Sequence, residues 1–88
     1  MPYYIAVYDI GVKRGPKMLK LFRRYLTWVQ NSVFEGDMTR AQFQALQTEA
    51  QQLMKPAEDS VIFYELRDER YSERTTLGTE AGERSRFL

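Results

Sequence analysis

No cysteine and no histidine occurs among the 88 residues of this chain, and tryptophan occurs once. Without cysteine there are no disulfides, no thiolate metal sites and no sulfur nucleophile, a composition that fits a reducing compartment without requiring one. Without histidine, the usual neutral-pH general base and the commonest zinc ligand are missing as well. Long hydrophobic runs are also lacking. The apolar N-terminal stretch is too short to span a membrane, and no basic segment precedes it as in a secretory signal, so a cytoplasmic protein with no membrane partner is expected. Nor does charge of one sign dominate. The net charge is +1, so bulk charge does not predict a nucleic-acid partner, and only its distribution can. A chain of this length makes one domain with a core that is marginal for a monomer. Its chemistry must rest on carboxylates, hydroxyls, basic side chains, backbone groups and a bound metal.

What is present begins with YYIAVYDIG, Tyr3 to Gly11. Tyr, Ile and Val predict a strand over Tyr3–Ile10, apolar in both alternating sets and therefore covered on both faces. Gly15-Pro16 marks a turn into a helix from Lys17 to about Leu26, with Met18, Leu21, Phe22, Tyr25 and Leu26 at helical spacing. TWVQNSVFEGD, Thr27 to Asp37, reads as a short hairpin or as one bent strand. Thr39 with Gln42 three residues on forms a capping-box pattern ahead of a helix whose stripe is Phe43, Leu46, Ala50 and Leu53. Lys55-Pro56 ends it, and SVIFYEL, Ser60 to Leu66, is another strand apolar on both faces. A short strand is expected over Tyr71–Leu77. The organisation is one domain over 1–78 and a flexible tail over 79–88. This order predicts an α+β, ferredoxin-like βαββαβ fold with a short extra C-terminal strand. Its two helices cover one sheet face; the apolar residues on the other call for a partner, most simply a second copy.

Three features bear on chemistry. Asp9 ends the first strand, where Asp commonly serves as a turn or cap residue. The alternative is a metal ligand: Mg²⁺ keeps several waters and often takes only one or two carboxylates, which a two-fold dimer could supply as two copies of Asp9. The second feature is the run Lys13, Arg14, Lys17, Lys20, Arg23 and Arg24, with no acid between Asp9 and Glu35. A solvated helix face ordinarily alternates sign, and cations near a helix N-terminus are disfavoured by roughly 0.3–1 kcal/mol each. A bound phosphate would reverse that cost, so the run is read as a phosphate-backbone contact. Third, QNSVFEGD supplies Ser32 and Phe34. No histidine is available to activate Ser32, so serine-hydrolase chemistry is not expected.

Together, YIAVYDI, the basic first helix and VQNSVFEGDM resemble the CRISPR-associated protein 2 family over roughly Tyr3 to Leu66. The resemblance implies a homodimer built by apposing the two sheets, with a C-terminal strand reaching to the partner protomer. It implies a subunit of spacer acquisition that bridges dimers of the CRISPR integrase and holds double-stranded DNA. It also implies Mg²⁺-dependent (or Mn²⁺-dependent) endonuclease activity on single-stranded RNA or double-stranded DNA, with Asp9 as the catalytic, metal-binding residue. Tyr8, Ser32 and Phe34 match motif positions that support the site, and Lys13, Arg14, Lys17, Lys20 and Arg24 are the candidate nucleic-acid contacts. One departure stands out: some members carry Arg where this chain has Trp28. The reading from another class is a ferredoxin-like RNA-binding domain or a toxin-type ribonuclease, with Tyr4, Phe34 and Phe63 stacking bases. Burial between apposed sheets accounts for those rings better.

Overall fold

The computed structural model describes residues 1–68 and 71–78. The expected tail over 79–88 lies outside the described residues. Strand β1 (Tyr3–Asp9) leads through a 3₁₀ turn, Val12–Arg14, into helix α1 (Gly15–Arg23). A hairpin of β2 (Thr27–Gln30) and β3 (Val33–Asp37) follows, then α2 (Arg40–Leu53), β4 (Ser60–Asp68) and β5 (Tyr71–Gly78). The strands form one antiparallel sheet in the order β2-β3-β1-β4-β5. This is the expected α+β, ferredoxin-like arrangement with an added C-terminal strand.

Local chemistry explains most boundaries. Pro16 sits in the first turn of α1, where its fixed φ suits the helix and its missing N–H costs nothing. The helix therefore starts at Gly15, two residues earlier than its apolar spacing predicts, and stops at Arg23. Leu26 still donates to the Phe22 carbonyl at 2.8 Å and is buried, so the stripe outlasts the helix by one turn. Thr39 and Gln42 close the capping box of α2 at 3.0 and 2.9 Å. Asn31 turns the β2–β3 hairpin with φ 46°, a left-handed conformation that Asn tolerates better than most residues, which settles Thr27–Asp37 as a hairpin.

Both helices pack on one sheet face. Met18, Leu21 and Phe22 of α1 and Phe43, Leu46 and Ala50 of α2 meet Tyr4, Ala6, Phe34, Val61 and Phe63 of the sheet. The rings dominate this core: Phe22 packs on Phe34 and Phe63 at 5.4 and 6.0 Å, and Phe43 meets Phe63 edge-on at 5.1 Å. Tyr4, Phe34 and Phe63 are thus core residues beneath the helices, neither base-stacking nor, as the sequence reading expected, buried between apposed sheets. The alternate set on the other face, Ile5, Val7, Val33, Ile62 and Tyr64, is half-buried.

β5 pairs with β4 of its own chain, from Ser60↔Gly78 to Glu65↔Glu73 and beyond. β5 is thus an edge strand of its own chain's sheet. Only two residues separate β4 from β5, a connection short enough for a hairpin. Gly78, at φ +87°, ends β5 against the Asp59 backbone, and a Cβ there would overlap the Asp59 carbonyl oxygen.

Asp59 is itself fully buried. Its carboxylate accepts from the Gly11 N–H at 2.9 Å, the Lys55 N–H at 2.8 Å, and Arg14 Nε and Nη2 at 2.6 and 2.8 Å. The Arg14 hydrogen bonds hold the Asp59 carboxyl well below the usual carboxylate range; burial opposes them, and the two backbone donors reinforce them.

Replacing Asp59 by Ala should destabilise the fold by about 3 kcal/mol, since it strands the Arg14 guanidinium and two backbone donors. The folded-state pKa is depressed, so the stabilisation is present above the unfolded-state value of about 3.9 and is lost as pH falls below it. Chemical denaturation from pH 8 to pH 3 should therefore show the difference between wild type and Asp59→Ala unchanged down to roughly pH 5 and shrinking below.

Candidate functional site

β1 is the middle strand, so the backbone around Tyr8 and Asp9 is paired with β4 through Tyr8↔Val61 and Asp9↔Ser60. The Tyr8 N–H donates to the Ser32 carbonyl at 3.1 Å, tying the hairpin turn to the end of β1. On the other side the Gly11 N–H is fixed by Asp59. Asp9 is exposed, but the chain on either side of it is anchored.

A cleft of about 470 Å³ opens at this point. Tyr8, Asp9 and Ile10 form one wall, Gly15, Pro16, Leu19 and Arg23 of α1 a second, and Trp28, Asn31 and Ser32 of the hairpin the third. Three of the residues expected at the site, Tyr8, Asp9 and Ser32, therefore meet in one concavity. Phe34 does not line it. It is buried behind Tyr8, whose ring it stacks on at 5.8 Å, and so positions Tyr8. Burial pushes the Tyr8 phenol up from its ordinary value, which keeps it protonated and able to donate at neutral pH.

The basic run divides in four. Arg14 is committed to Asp59 and reaches Glu58 at 3.2 Å; its side chain is only 19% exposed. The guanidinium expected on phosphate is holding the fold. Lys17, Lys20 and Arg24 lie along a separate groove of about 260 Å³ with Leu21, Glu49 and Leu53. Arg24 pairs there with Glu49 at 3.3 Å, and the Tyr25 hydroxyl donates to the same carboxylate at 2.8 Å. That hydrogen bond, followed by burial, raises the Tyr25 pKa. Lys13 is exposed on the 3₁₀ turn. Only Arg23 reaches the Asp9 cleft, because it is four residues from Leu19 and shares its side of α1.

Arg23 belonged to the basic run read as a phosphate contact, whereas Trp28 and Asn31 were not among the sequence candidates. The Leu19–Arg23 spacing carried the signal for Arg23. Trp28 and Asn31 required the hairpin, in which the Trp28 indole N–H donates to the Asn31 carbonyl at 2.9 Å.

The donor chemistry of the cleft is that of a hard cation: the Asp9 carboxylate, the Ser32 hydroxyl and the Asn31 amide are oxygen ligands. Among the described residues no group of three or more His, Cys, Asp or Glu side chains could enclose a metal. One chain thus fits Mg²⁺ that retains water, and does not build a complete cage.

Comparison with known proteins completes the description. The family model for CRISPR associated protein Cas2 matches residues 1–74. The chain is 46% identical over 86 residues to a CRISPR-associated endoribonuclease Cas2 of Dictyoglomus turgidum, covering 98% of this chain and 99% of that one. It is 40% identical over 86 residues to the corresponding protein of Methanosarcina acetivorans, with the same coverage. A crystal structure of Cas2 superposes with a TM-score of 0.73 at 35% identity, covering 91% of this chain and 90% of the other.

Proposed function

The chain belongs to the CRISPR-associated protein Cas2 family, and from that premise we propose that it acts as a homodimer in spacer acquisition. In this reading the dimer binds nucleic acid, bridges integrase dimers, and cleaves phosphodiester bonds at Asp9. Family membership displaces the unrelated RNA-binding or toxin-type reading. The observation that carries the proposal is the convergence of Asp9, Tyr8 and Ser32 in one cleft with a cation, Arg23.

The half-buried apolar face supports the dimer. Ile5, Val7, Ile62 and Tyr64 form a contiguous patch on the two central strands, and Asp9 belongs to the same alternating set. Apposing two such faces buries the patch and brings a second Asp9 within reach of the first. The exposed Lys13, Lys17 and Lys20 supply charge for phosphates. Arg24 contributes less freely because Glu49 already pairs with it.

Asp9 would hold the Mg²⁺ (or Mn²⁺), assisted by Ser32. When bound, the ion supplies Lewis-acid polarisation of the phosphate and a lowered pKa for the attacking water. The protonated Tyr8 phenol can donate to a phosphate oxygen, and Arg23 can neutralise its charge. No histidine is available as general base, so cleavage is slow, and holding nucleic acid is the larger part of the work. The relatives named above are endoribonucleases by name, which supports RNA as the cleaved substrate, while bridging concerns duplex DNA.

Sedimentation equilibrium at low micromolar concentration should give a dimer; a stable, soluble monomer would remove the shared site. Changing Lys13, Lys17 and Lys20 to Glu should weaken duplex DNA binding across all sequences. It should also flatten the slope of log affinity against log salt by about 0.9 per lost phosphate contact. An unchanged slope would make the run a solvated face. Asp9→Asn should abolish metal-dependent cleavage of RNA and of duplex DNA while leaving duplex binding intact. It should also raise the melting temperature in metal-free buffer by relieving repulsion between the two carboxylates. Cleavage that persists in the purified variant would return Asp9 to the role of a turn residue.

A further inference from the structure

The outer faces of the two helices differ in kind. Along α1, Lys17, Lys20 and Arg24 are exposed on one stripe, three and four residues apart over about 10 Å of helix axis. On α2, every exposed residue after Arg40 is uncharged: Ala41, Gln42, Gln44, Thr48, Gln51 and Gln52. A helix face that stays in water normally carries charge, whereas depletion of charge marks the centre of a protein interface. Between the helices lies the groove of about 260 Å³, and Leu21 and the half-buried Leu53 give it an apolar floor.

The charge in this groove is only partly used. At one end Glu49 pairs with Arg24 at 3.3 Å and accepts from the Tyr25 hydroxyl at 2.8 Å, so a carboxylate of the chain itself is already seated there. Among the described residues, Lys17 and Lys20 pair with no carboxylate. The groove thus presents two ammonium groups one turn apart, then two leucines, then a neutralised end. A phosphate backbone would use the lysines, but it has nothing to set against the leucines and Glu49 repels it. A helix with one acidic and apolar face uses all three parts.

We propose that the groove between α1 and α2 docks an amphipathic helix of a partner protein, with two carboxylates one turn apart on Lys17 and Lys20 and a leucine-sized side chain between Leu21 and Leu53. Side chains three or four residues apart share a helix face, so the spacing of Lys17 and Lys20 matches such a pair. The uncharged wall of α2 lets the rest of the helix pack without stranding an ion. A second copy of this chain does not supply the helix, because α1 holds no acid and α2 holds Glu49 alone. Lys17 and Lys20 are duplex contacts in the reading above. Resting on that reading, the docked helix and duplex DNA exclude one another.

The probe is a stapled, fluorescein-labelled, alanine-based helical peptide with two glutamates one turn apart and a leucine on the same face. Its control has the same composition with the leucine moved to the opposite face. Both are titrated onto the full-length protein by fluorescence anisotropy. The patterned peptide should bind about tenfold tighter than the control, since burying one leucine is worth at least that much. Leu53→Asn should remove the difference and leave duplex affinity unchanged. Lys17→Glu with Lys20→Glu should abolish binding of the patterned peptide. A peptide with two lysines in place of the glutamates should then bind the reversed protein as the original binds wild type. Equal binding of patterned and control peptides would mean a surface that reads charge alone, as a nucleic-acid surface does, and would overturn the proposal. Failure of the charge-swapped peptide to restore binding would overturn it too. If Leu53→Asn does not fold, the two peptides and the charge swap, which alters exposed residues only, decide. Duplex is scored in parallel, as competitor and as ligand. Duplex that neither competes nor loses affinity for the reversed protein, with the expected peptide results, sinks the phosphate reading and keeps the groove. Duplex binding lost on reversal, with both peptides binding wild type equally, does the reverse.

Discussion

A buried carboxylate has to be satisfied by protein, and in this chain Asp59 obtains that satisfaction from two separate segments, the turn from Gly11 to Arg14 and the chain after the second helix. Gly11 follows the first strand, Arg14 precedes the first helix, and Lys55 follows the second. The carbonyl of the same residue lies against Gly78 at the end of the last strand. Breaking a buried, hydrogen-bonded charge pair leaves an uncompensated charge, which is costlier than losing an apolar contact of similar size. The arrangement therefore holds both helix ends and the loop beyond Asp9 at once. Gly11 is part of the fit: a Cβ there would crowd Arg14 at 2.5 Å.

This clasp explains why a basic run that is uniform in sequence is not uniform in space. Helical geometry gives successive cations different neighbours. Arg14 turns inward to a carboxylate, Lys17 and Lys20 face a groove shared with Glu49, and Arg23 faces the cleft. One segment thereby serves as structural tie, as backbone-contact surface and as part of the site. The division also separates the demands on each cation, since Arg14 is the one in the run that pairs with a fully buried carboxylate.

Much of the architecture was legible because its signals are local. The capping box at Thr39, Pro16 in a first helical turn and the run of Tyr, Ile and Val through β1 each act within a few residues. The meeting of Tyr8, Asp9 and Ser32 was legible only through the family resemblance. Bringing Ser32 to Tyr8 takes a backbone hydrogen bond between strands, and no periodicity announces it. Asp59 was missed for the same reason, as its partner Arg14 lies 45 residues away. Trp28 was noted as a departure from an expected arginine, but its cleft position depends on a bulged register between Trp28 and Gln30 that sequence spacing does not encode. The end of α1 was overrun because Tyr25 and Leu26 continue the apolar stripe, and Leu26 still donates to the Phe22 carbonyl, after the regular helix has ended at Arg23.

The placement of β1 has a kinetic side. The first strand to be made is the middle strand of the sheet, and its partners begin at Val33 and Ser60. On the ribosome, Tyr3 to Asp9 must stay unpaired along one edge until the β2–β3 hairpin is complete. The other edge stays open until nearly the whole domain has emerged. Non-local pairing of this kind pays its loop-closure entropy before any contact returns it, so the chain folds late and cooperatively. During synthesis the strand that ends in Asp9 is thus an open template with apolar residues on both sides. Such an edge invites pairing with other nascent chains, and early helix formation or a chaperone has to shield it.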